Sequence, residues 1–272
     1  MRAILRSVLV VAVVGAMNLP RRFGGQSSNG PRRALAGAAG AALLAKPLSA
    51  VAFGREAALA DKLGAVPAFF VANSRGSPYL LNKEAEGAQE CVIFLEPRDA
   101  ERLLSEMTQA SPQLSDARIN CVGLDKALTM LKRKPVPSGN VARDGRELVL
   151  RYRLSPSARQ LGNARGRLGK LFSGKTLPCF ICPDLVIKGK TPVFLALEDL
   201  NAAWATAAGG DAAPAPVVDV HNLLDLVVAS EQPDALGDFD ALLFYPEPHA
   251  VAYVRDNRKR GNRQSRLHAS IA

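Results

Sequence analysis

Apolar positions along the chain fall into short runs of strand length and longer stripes of helical spacing, and the order of these runs occurs twice. Val66-Pro67-Ala68-Phe69-Phe70-Val71-Ala72 is a continuous apolar run, and Val92-Ile93-Phe94-Leu95 is a second. Asp99 then precedes a stripe with Leu103, Leu104 and Met107 on one face, and a strand over 117–122 followed by a helix over 124–131 closes the unit. At an offset of 111 residues, Leu177-Pro178-Cys179-Phe180-Ile181-Cys182 starts the same order again. Val193-Phe194-Leu195, Asp199, a stripe with Leu200, Ala203 and Trp204, and the apolar stretch 217–228 follow. Repetition of one supersecondary unit implies that neighbouring copies share a core. The pattern therefore predicts a mixed α/β (α+β) fold, a pseudo-two-fold duplicated unit of a mixed sheet packed by helices.

Local signals refine this outline. A short helix is predicted over 52–63, ended by Gly64. Asn73-Ser74-Arg75-Gly76-Ser77-Pro78 reads as a turn with Gly76 at positive φ, joining 66–72 to a partner strand at Tyr79-Leu80-Leu81-Asn82. Asp99 is placed to cap a helix over 100–110. Residues 132–145, rich in Lys, Arg, Gly and Asn, read as a loop, and 147–154 alternate as a strand with Leu148, Leu150, Tyr152 and Leu154 on the buried face. Ser155-Pro156-Ser157 starts a helix at Ala158. In the second copy Lys188-Gly189-Lys190 is the turn, Asp219 and His221 stand at the start of a helix, and 239–245 corresponds to the strand that ends at Pro156. Val251 to Arg255 is the matching terminal helix. The folded part thus divides into a first half, 53–165, a basic glycine-containing junction, 166–176, and a second half, 177–256, before a basic tail, 257–272.

The chain has 272 residues, 48% of them apolar, enough for a substantial core. Its net charge of +10 belongs to its ends. Residues 1–52 hold seven bases and no acid, the stretch from Val251 holds six bases against Asp256, and 53–250 holds 22 bases against 24 acids. A nearly neutral body, and a tail whose bases have no interleaved aromatics, argue against a nucleic-acid interface. The tail instead offers a peripheral contact with anionic lipid. Residues 1–52 read as a targeting presequence: Arg2 and Arg6 before the apolar run 8–14 form a secretory signal, and Arg21, Arg22, Arg32 and Arg33 lie in an acid-free transit-like spacer. Arg32-Arg33 before the Ala-rich run 34–45, with Ala50-Val51-Ala52 behind it, resembles a twin-arginine signal for the thylakoid lumen. The expected compartment is a plastid, either its envelope intermembrane space or its thylakoid lumen.

Candidate chemistry is sparse. Cys179-Phe180-Ile181-Cys182 has redox spacing, but a reactive first thiol belongs at a helix N-terminus, and here both cysteines lie in an apolar strand that points them to opposite faces. The first copy has Ala68 and Val71 at those positions, so core packing is the favoured reading and a thiol–disulfide oxidoreductase the alternative. Ser173-Gly174-Lys175-Thr176 supplies only the end of a phosphate-binding loop. His221, His249 and His268 are isolated, Cys91 and Cys121 show no paired zinc spacing, and Asp219 and Asp225 read as a cap and a solvent-facing acid. No enzyme motif emerges, and no metal or cofactor is expected.

The motif Val66 to Pro78, then Cys91 to Leu95 with Asp99, then Val122-Gly123-Leu124-Asp125, then Arg151-Tyr152-Arg153-Leu154-Ser155-Pro156 with Gln160 and Ala164, resembles the Tic22-like family of plastid and cyanobacterial proteins. The resemblance covers most of 60–256, and Cys179, Cys182 and the short Val217 region depart from it. It implies a non-catalytic, soluble or peripherally attached protein linked to preprotein import across the plastid envelope, acting as a chaperone for unfolded or extended polypeptides beside translocon subunits. Cyanobacterial members act in outer-membrane biogenesis. The family fold implies apolar surface clefts, which would be walled here by Phe69, Phe70, Leu80 and Leu103 in one half and Phe180, Ile181, Phe194 and Trp204 in the other. The twin-arginine stretch keeps a second reading open, a luminal structural or assembly subunit of a photosynthetic membrane complex.

Overall fold

The computed structural model describes residues 59–168, 176–210, 214–231 and 241–259, and two sheets of one design organise them. The targeting segment, most of the junction, and Phe239 and Asp240 lie outside the described residues. Helix α1 (residues 59–64) leads into β1 (Pro67–Ala72), followed by β2 (Leu81–Lys83), β3 (Ala88–Phe94), α2 (Pro97–Ala110), β4 (Arg118–Gly123) and α3 (Leu124–Leu131). Strands β5 (Val136–Val141) and β6 (Glu147–Ser155) and helix α4 (Ala158–Leu168) end the first half. The second half runs β7 (Pro178–Ile181), β8 (Thr191–Phe194), α5 (Leu197–Ala207), β9 (Asp219–Asn222), α6 (Leu223–Glu231), β10 (Leu242–Tyr245) and α7 (Pro248–Lys259).

The order β4-β1-β3-β6 of the larger sheet matches β9-β7-β8-β10 of the smaller one, with the central pair antiparallel and the last pair parallel in both. Register agrees as well: Phe69 faces Phe94 and Phe180 faces Phe194. Just before each first strand, the Leu124 N–H donates to the Val66 carbonyl at 2.8 Å and the Leu223 N–H to the Leu177 carbonyl at 2.7 Å. The duplicated α/β design predicted from the hydrophobic pattern is present.

Strand alternation sorts side chains between faces. Ala68, Phe70, Cys91, Ile93, Leu150 and Leu154 of the larger sheet meet Cys179, Val193 and Phe244 of the smaller one in a single central cluster. Leu124 and Leu128 of α3 and Leu223 and Val227 of α6 complete it. Gly123 allows close approach beside this cluster, because a Cβ there would stand 2.8 Å from the Gly64 carbonyl oxygen.

The outer faces are covered reciprocally. Helix α7, from the end of the second half, packs on α2 and β1, bringing Ala250 and Val254 into a cluster with Phe69, Val92, Phe94, Ala100 and Cys121. Helix α4, from the end of the first half, packs on β7 and β9, and its Ala164 joins Phe180, Cys182, Leu185, Phe194 and Leu200. Ala164 and Val254 hold equivalent places, so each half lends its last helix to the other.

Several local expectations are corrected. Tyr79 to Asn82 does not extend the first hairpin: the Tyr79 N–H bonds the Val71 carbonyl and Ala72 bridges Pro78, but Leu81–Lys83 pairs with β3. Because β1 reaches β3 only where Phe69 faces Phe94, the ladder at Ala88 to Glu90 is left for β2 to fill. Asp99 is not a cap. Pro97, with φ preset for a helix, starts α2 three residues earlier than expected, after the N-cap residue Glu96, and Asp99 pairs with Arg102 at 2.7 Å. The loop 132–145 contains β5, whose one proline and one glycine hide its strand character. Asp219 and His221 lie in β9, both exposed, with α6 starting only at Leu223.

The exchange has an energetic signature. Phe69 of the first half and Tyr253 of the second pack edge to face with centroids 5.5 Å apart. A double-mutant cycle with Phe69→Leu and Tyr253→Leu, read by urea unfolding, is expected to return a coupling of about 0.5–1.5 kcal/mol. Strict additivity would show that the helix exchange contributes nothing at this contact.

Candidate functional site

The strand ends that carry the two copies of the motif converge at the junction of the halves. There they enclose a cleft of about 430 Å³, part of it open to solvent. Its lining follows the duplication residue for residue. Val66 and Pro67, at the start of β1, are matched by Leu177 and Pro178 at the start of β7. Leu95 and Glu96, after β3, are matched by Leu195 and Ala196 after β8. Pro156 and Ser157, after β6, are matched by Pro246 and Glu247 after β10, and Gln160 of α4 by Ala250 of α7. The cleft therefore lies on the pseudo-two-fold axis, outside the carboxyl ends of both parallel strand pairs. Four prolines in its wall withhold backbone donors and leave it largely apolar.

Four helices begin at this cleft. Glu96 and Ala196 are the N-cap residues of α2 and α5. The carbonyls of Ser157 and Glu247 accept the first helical bonds of α4 and α7, from Leu161 at 2.9 Å and Val251 at 3.2 Å. Converging helix N-termini favour negative charge, which accounts for Glu96, Asp99, Glu198, Asp199 and Glu247 gathering here. Arg159 answers them across the junction. Its guanidinium lies 3.3 Å from Glu96 of its own half, and 3.6 Å from Glu198 and 2.7 Å from Glu247 of the other. The buried Gln160 side chain accepts from the Leu197 N–H at 3.2 Å and donates to Glu198 at 3.1 Å. Asn163 donates to the other Glu198 oxygen at 2.9 Å.

These surroundings move the carboxylates in different directions. Burial, then the charge of Glu96, raises Glu247 above its ordinary value even though Arg159 bonds it. Asp99 and Asp199 are raised as well, each chiefly by burial. For Glu198 burial is outweighed by the hydrogen bonds from Gln160 and Asn163, and its carboxyl is lowered.

The eight residues expected to wall apolar clefts fall in three clusters, and none lines the axial cleft. Phe69 and half-buried Leu103 share one cluster, Phe70, Leu80 and half-buried Ile181 the central one, and Phe180, Phe194 and half-buried Trp204 the third. The remaining five are buried. Sequence reasoning passed over Val66, Leu95, Leu177 and Leu195, which stand at the ends of the same runs. The signal that could have found them is the recurrence of Pro67, Leu95 and Pro156 as Pro178, Leu195 and Pro246. Cys179 belongs to the central cluster and Cys182 to the outer one of its sheet, so the two thiols do point to opposite faces. All four cysteines are buried and outside any disulfide, and burial pushes Cys179 up to about 12, leaving it a protonated, apolar side chain at neutral pH. Among the described residues, no group of three or more His, Cys, Asp and Glu is placed to hold a metal ion, and no helix is long and apolar enough to cross a membrane.

A duplicated α/β frame of this kind is the fold of a known class of proteins. The family model of the Tic22-like family matches residues 9–255, and the chain belongs to that family. Its fold is similar to the solved structure of Tic22 from Plasmodium falciparum, with a TM-score of 0.59 and 25% identity over 75% of this chain and 98% of that one. It is also similar in fold to Anabaena Tic22, described under protein transport, with a TM-score of 0.54 and 16% identity over 74% of this chain and 96% of that one. A search of curated proteins finds no match to the chain.

The raised carboxyls set a pH dependence. Between the ordinary value of Glu247, 4.5, and its raised value, the folded state keeps a proton that the unfolded state has released, so stability falls as pH rises through that window. Glu198 acts in the opposite sense and lower down: its contribution is present above 4.5 and is lost as pH falls through its lowered value. Glu247→Gln, which retains an oxygen for Arg159, is expected to flatten the decline above 4.5 when urea midpoints are followed against pH. An unchanged slope would assign the decline to other groups.

Proposed function

We propose that this protein binds extended, unfolded segments of other polypeptides during protein transport into or within a plastid, seating them in the axial cleft and catalysing no reaction. The observation that carries this reading is the mirrored apolar lining of the cleft. A wall repeated about an axis offers similar apolar groups to a chain entering from either side, and it demands no particular polar side chain. Weak, sequence-tolerant capture follows from such a surface. Family membership and the protein-transport description of the Anabaena relative support the setting. Ile181, Leu103 and Trp204 would extend the apolar surface where they reach solvent, with Phe69, Phe70, Leu80, Phe180 and Phe194 holding them from behind. The partners would be unfolded clients and either translocon subunits or complexes of the thylakoid membrane, the second setting favoured by Arg32-Arg33 ahead of its Ala-rich run.

The test is binding of a fluorescently labelled, reduced and alkylated model polypeptide that cannot refold. Leu95→Glu and Leu195→Glu each put a charge on the cleft wall and are expected to weaken binding about tenfold or more while circular dichroism is retained. Ala196→Leu, which fills the cleft without charge, guards against a folding artefact. Undiminished binding by all three variants would remove the cleft from the function. Plastid fractionation with protease protection and N-terminal sequencing of the mature form decides the compartment. Recovery between the envelope membranes supports import, and a form starting near Phe53 in the lumen supports the assembly role.

A further inference from the structure

The first half carries a feature that the second lacks among the described residues: β5, added to the outer edge of β6. Helices α2 and α7 pack on the outer face of β1 and β3, and among the described residues the outer-face side chains Glu147, Arg151 and Arg153 of β6 are exposed. Cross-strand pairing puts Val141 opposite Glu147 and Pro137 opposite Val149 on that face, and β6 adds exposed Arg151 and Arg153. Exposed Lys132, Arg133 and Lys134 lead into the ribbon, and exposed Arg143 and Arg146 stand at its turn. Against these seven bases, residues 132–153 carry two acids, Asp144 and Glu147, whereas the body as a whole is slightly acidic. Arg146 pairs with Asp144 at 2.6 Å and Arg153 with Glu90 at 3.1 Å, and Lys132 and Arg143 are engaged as well, but seven bases against two acids keep the segment net positive. The corresponding connection of the second half, 232–240, contains Asp234, Asp238 and Asp240 and no base. A symmetric frame thus bears an asymmetric charge.

We propose that the β5–β6 ribbon is a docking face for an anionic lipid surface. Its charges are spread along both ends and one face of a ribbon, which suits a sheet of distributed headgroups better than a single anion. Val141, opposite Glu147 and 67% exposed, and Pro137, opposite Val149, are short apolar groups among the cations that can sit at a bilayer interface. An added peptide strand is disfavoured, because Pro135 and Pro137 remove donors along β5. Each base near an anionic surface contributes about 1 kcal/mol, so the docking is reversible and salt-sensitive.

The test uses the full chain and sedimentation with vesicles of phosphatidylcholine, either alone or with about 30 mol% phosphatidylglycerol. The readout is the binding gained with the anionic lipid. The triple variant Lys132→Glu, Arg133→Glu, Lys134→Glu is expected to lose at least about tenfold of that gain, and rising salt to abolish it in the parent protein. Arg260→Glu, Arg263→Glu, Arg266→Glu makes the same charge change in the tail and is expected to retain most of the gain. Val141→Ser, which leaves the charge intact, is expected to weaken it by a smaller factor. Equal loss in the tail and ribbon variants, or no gain with anionic lipid, overturns the proposal. So does self-association on gel filtration that disappears in the ribbon variant, since the basic face would then be engaged by a second copy.

Discussion

The structure depends on one exchange: neither sheet covers its own outer face without a helix from the other half. Helix α2 needs Ala250, Val254 and Tyr253 of α7 beside it to close over Phe69 and Phe94, and α5 needs α4 beside it to close over Phe180 and Phe194. With the inner faces already merged in one central cluster, each half has both surfaces of its sheet buried against the other. The halves are therefore not two domains that happen to touch. Removing either terminal helix would expose an aromatic face of the opposite sheet, so the unit that unfolds cooperatively is the pair.

The cleft is a geometric consequence of the same exchange. Each lent helix starts where a parallel strand ends, β6 for α4 and β10 for α7, and both must cross the axis at once. Proline after each strand turns the chain, and proline at the start of β1 and β7 keeps the opposing strand ends from pairing across the gap. What differs between the two crossings is chemistry. Pro97 starts α2 and has no N–H to satisfy, so Ala250 beside it suffices. Leu197 starts α5 and does have one, and the equivalent position to Ala250 is Gln160, whose side chain accepts it. That glutamine then orders Glu198, and Arg159 next to it ties Glu96 to Glu198 and Glu247. The polar side of the cleft is thus the solution to one unpaired amide.

Duplication was legible in the sequence because both copies keep their apolar runs in order, and it was enough to obtain the order of elements in each half and to demote Cys179 and Cys182. Helices α3 and α4 began where the pattern put them, at Leu124 and Ala158. What escaped were features without a periodic signature. Strand β5 is held by pairing with β6 and by the Asn140 bond to Gln89, with Ser138 as its one buried residue, so no hydrophobic alternation marks it. Helix α2 was placed three residues late because Asp99 looks like a cap, whereas Pro97 sets the start. The exchange itself leaves no local trace: Ala164 and Val254 have the spacing of any amphipathic helix, and nothing in that spacing says whose sheet they cover. The axial cleft left no such trace either, since its lining comes from the ends of the apolar runs, Val66, Leu95, Leu177 and Leu195, and not from the aromatic residues inside them.

Symmetry and its breaking are set at opposite ends of β6. Pro156, just past the strand, belongs to the mirrored cleft, and Arg146, just before it, to a basic turn whose counterpart in sequence, 232–240, holds no base. At about 3.3 Å per residue, these points lie roughly 30 Å apart, beyond the screening length of physiological salt. Charge on the turn therefore does not alter the acid-rich surroundings of Glu247 and Glu96, and a segment lying in the cleft does not cover the turn. The duplicated frame gives the cleft a lining that is repeated about the axis. The added strand supplies what a two-fold object cannot have, a single electrically distinct end by which it can be oriented.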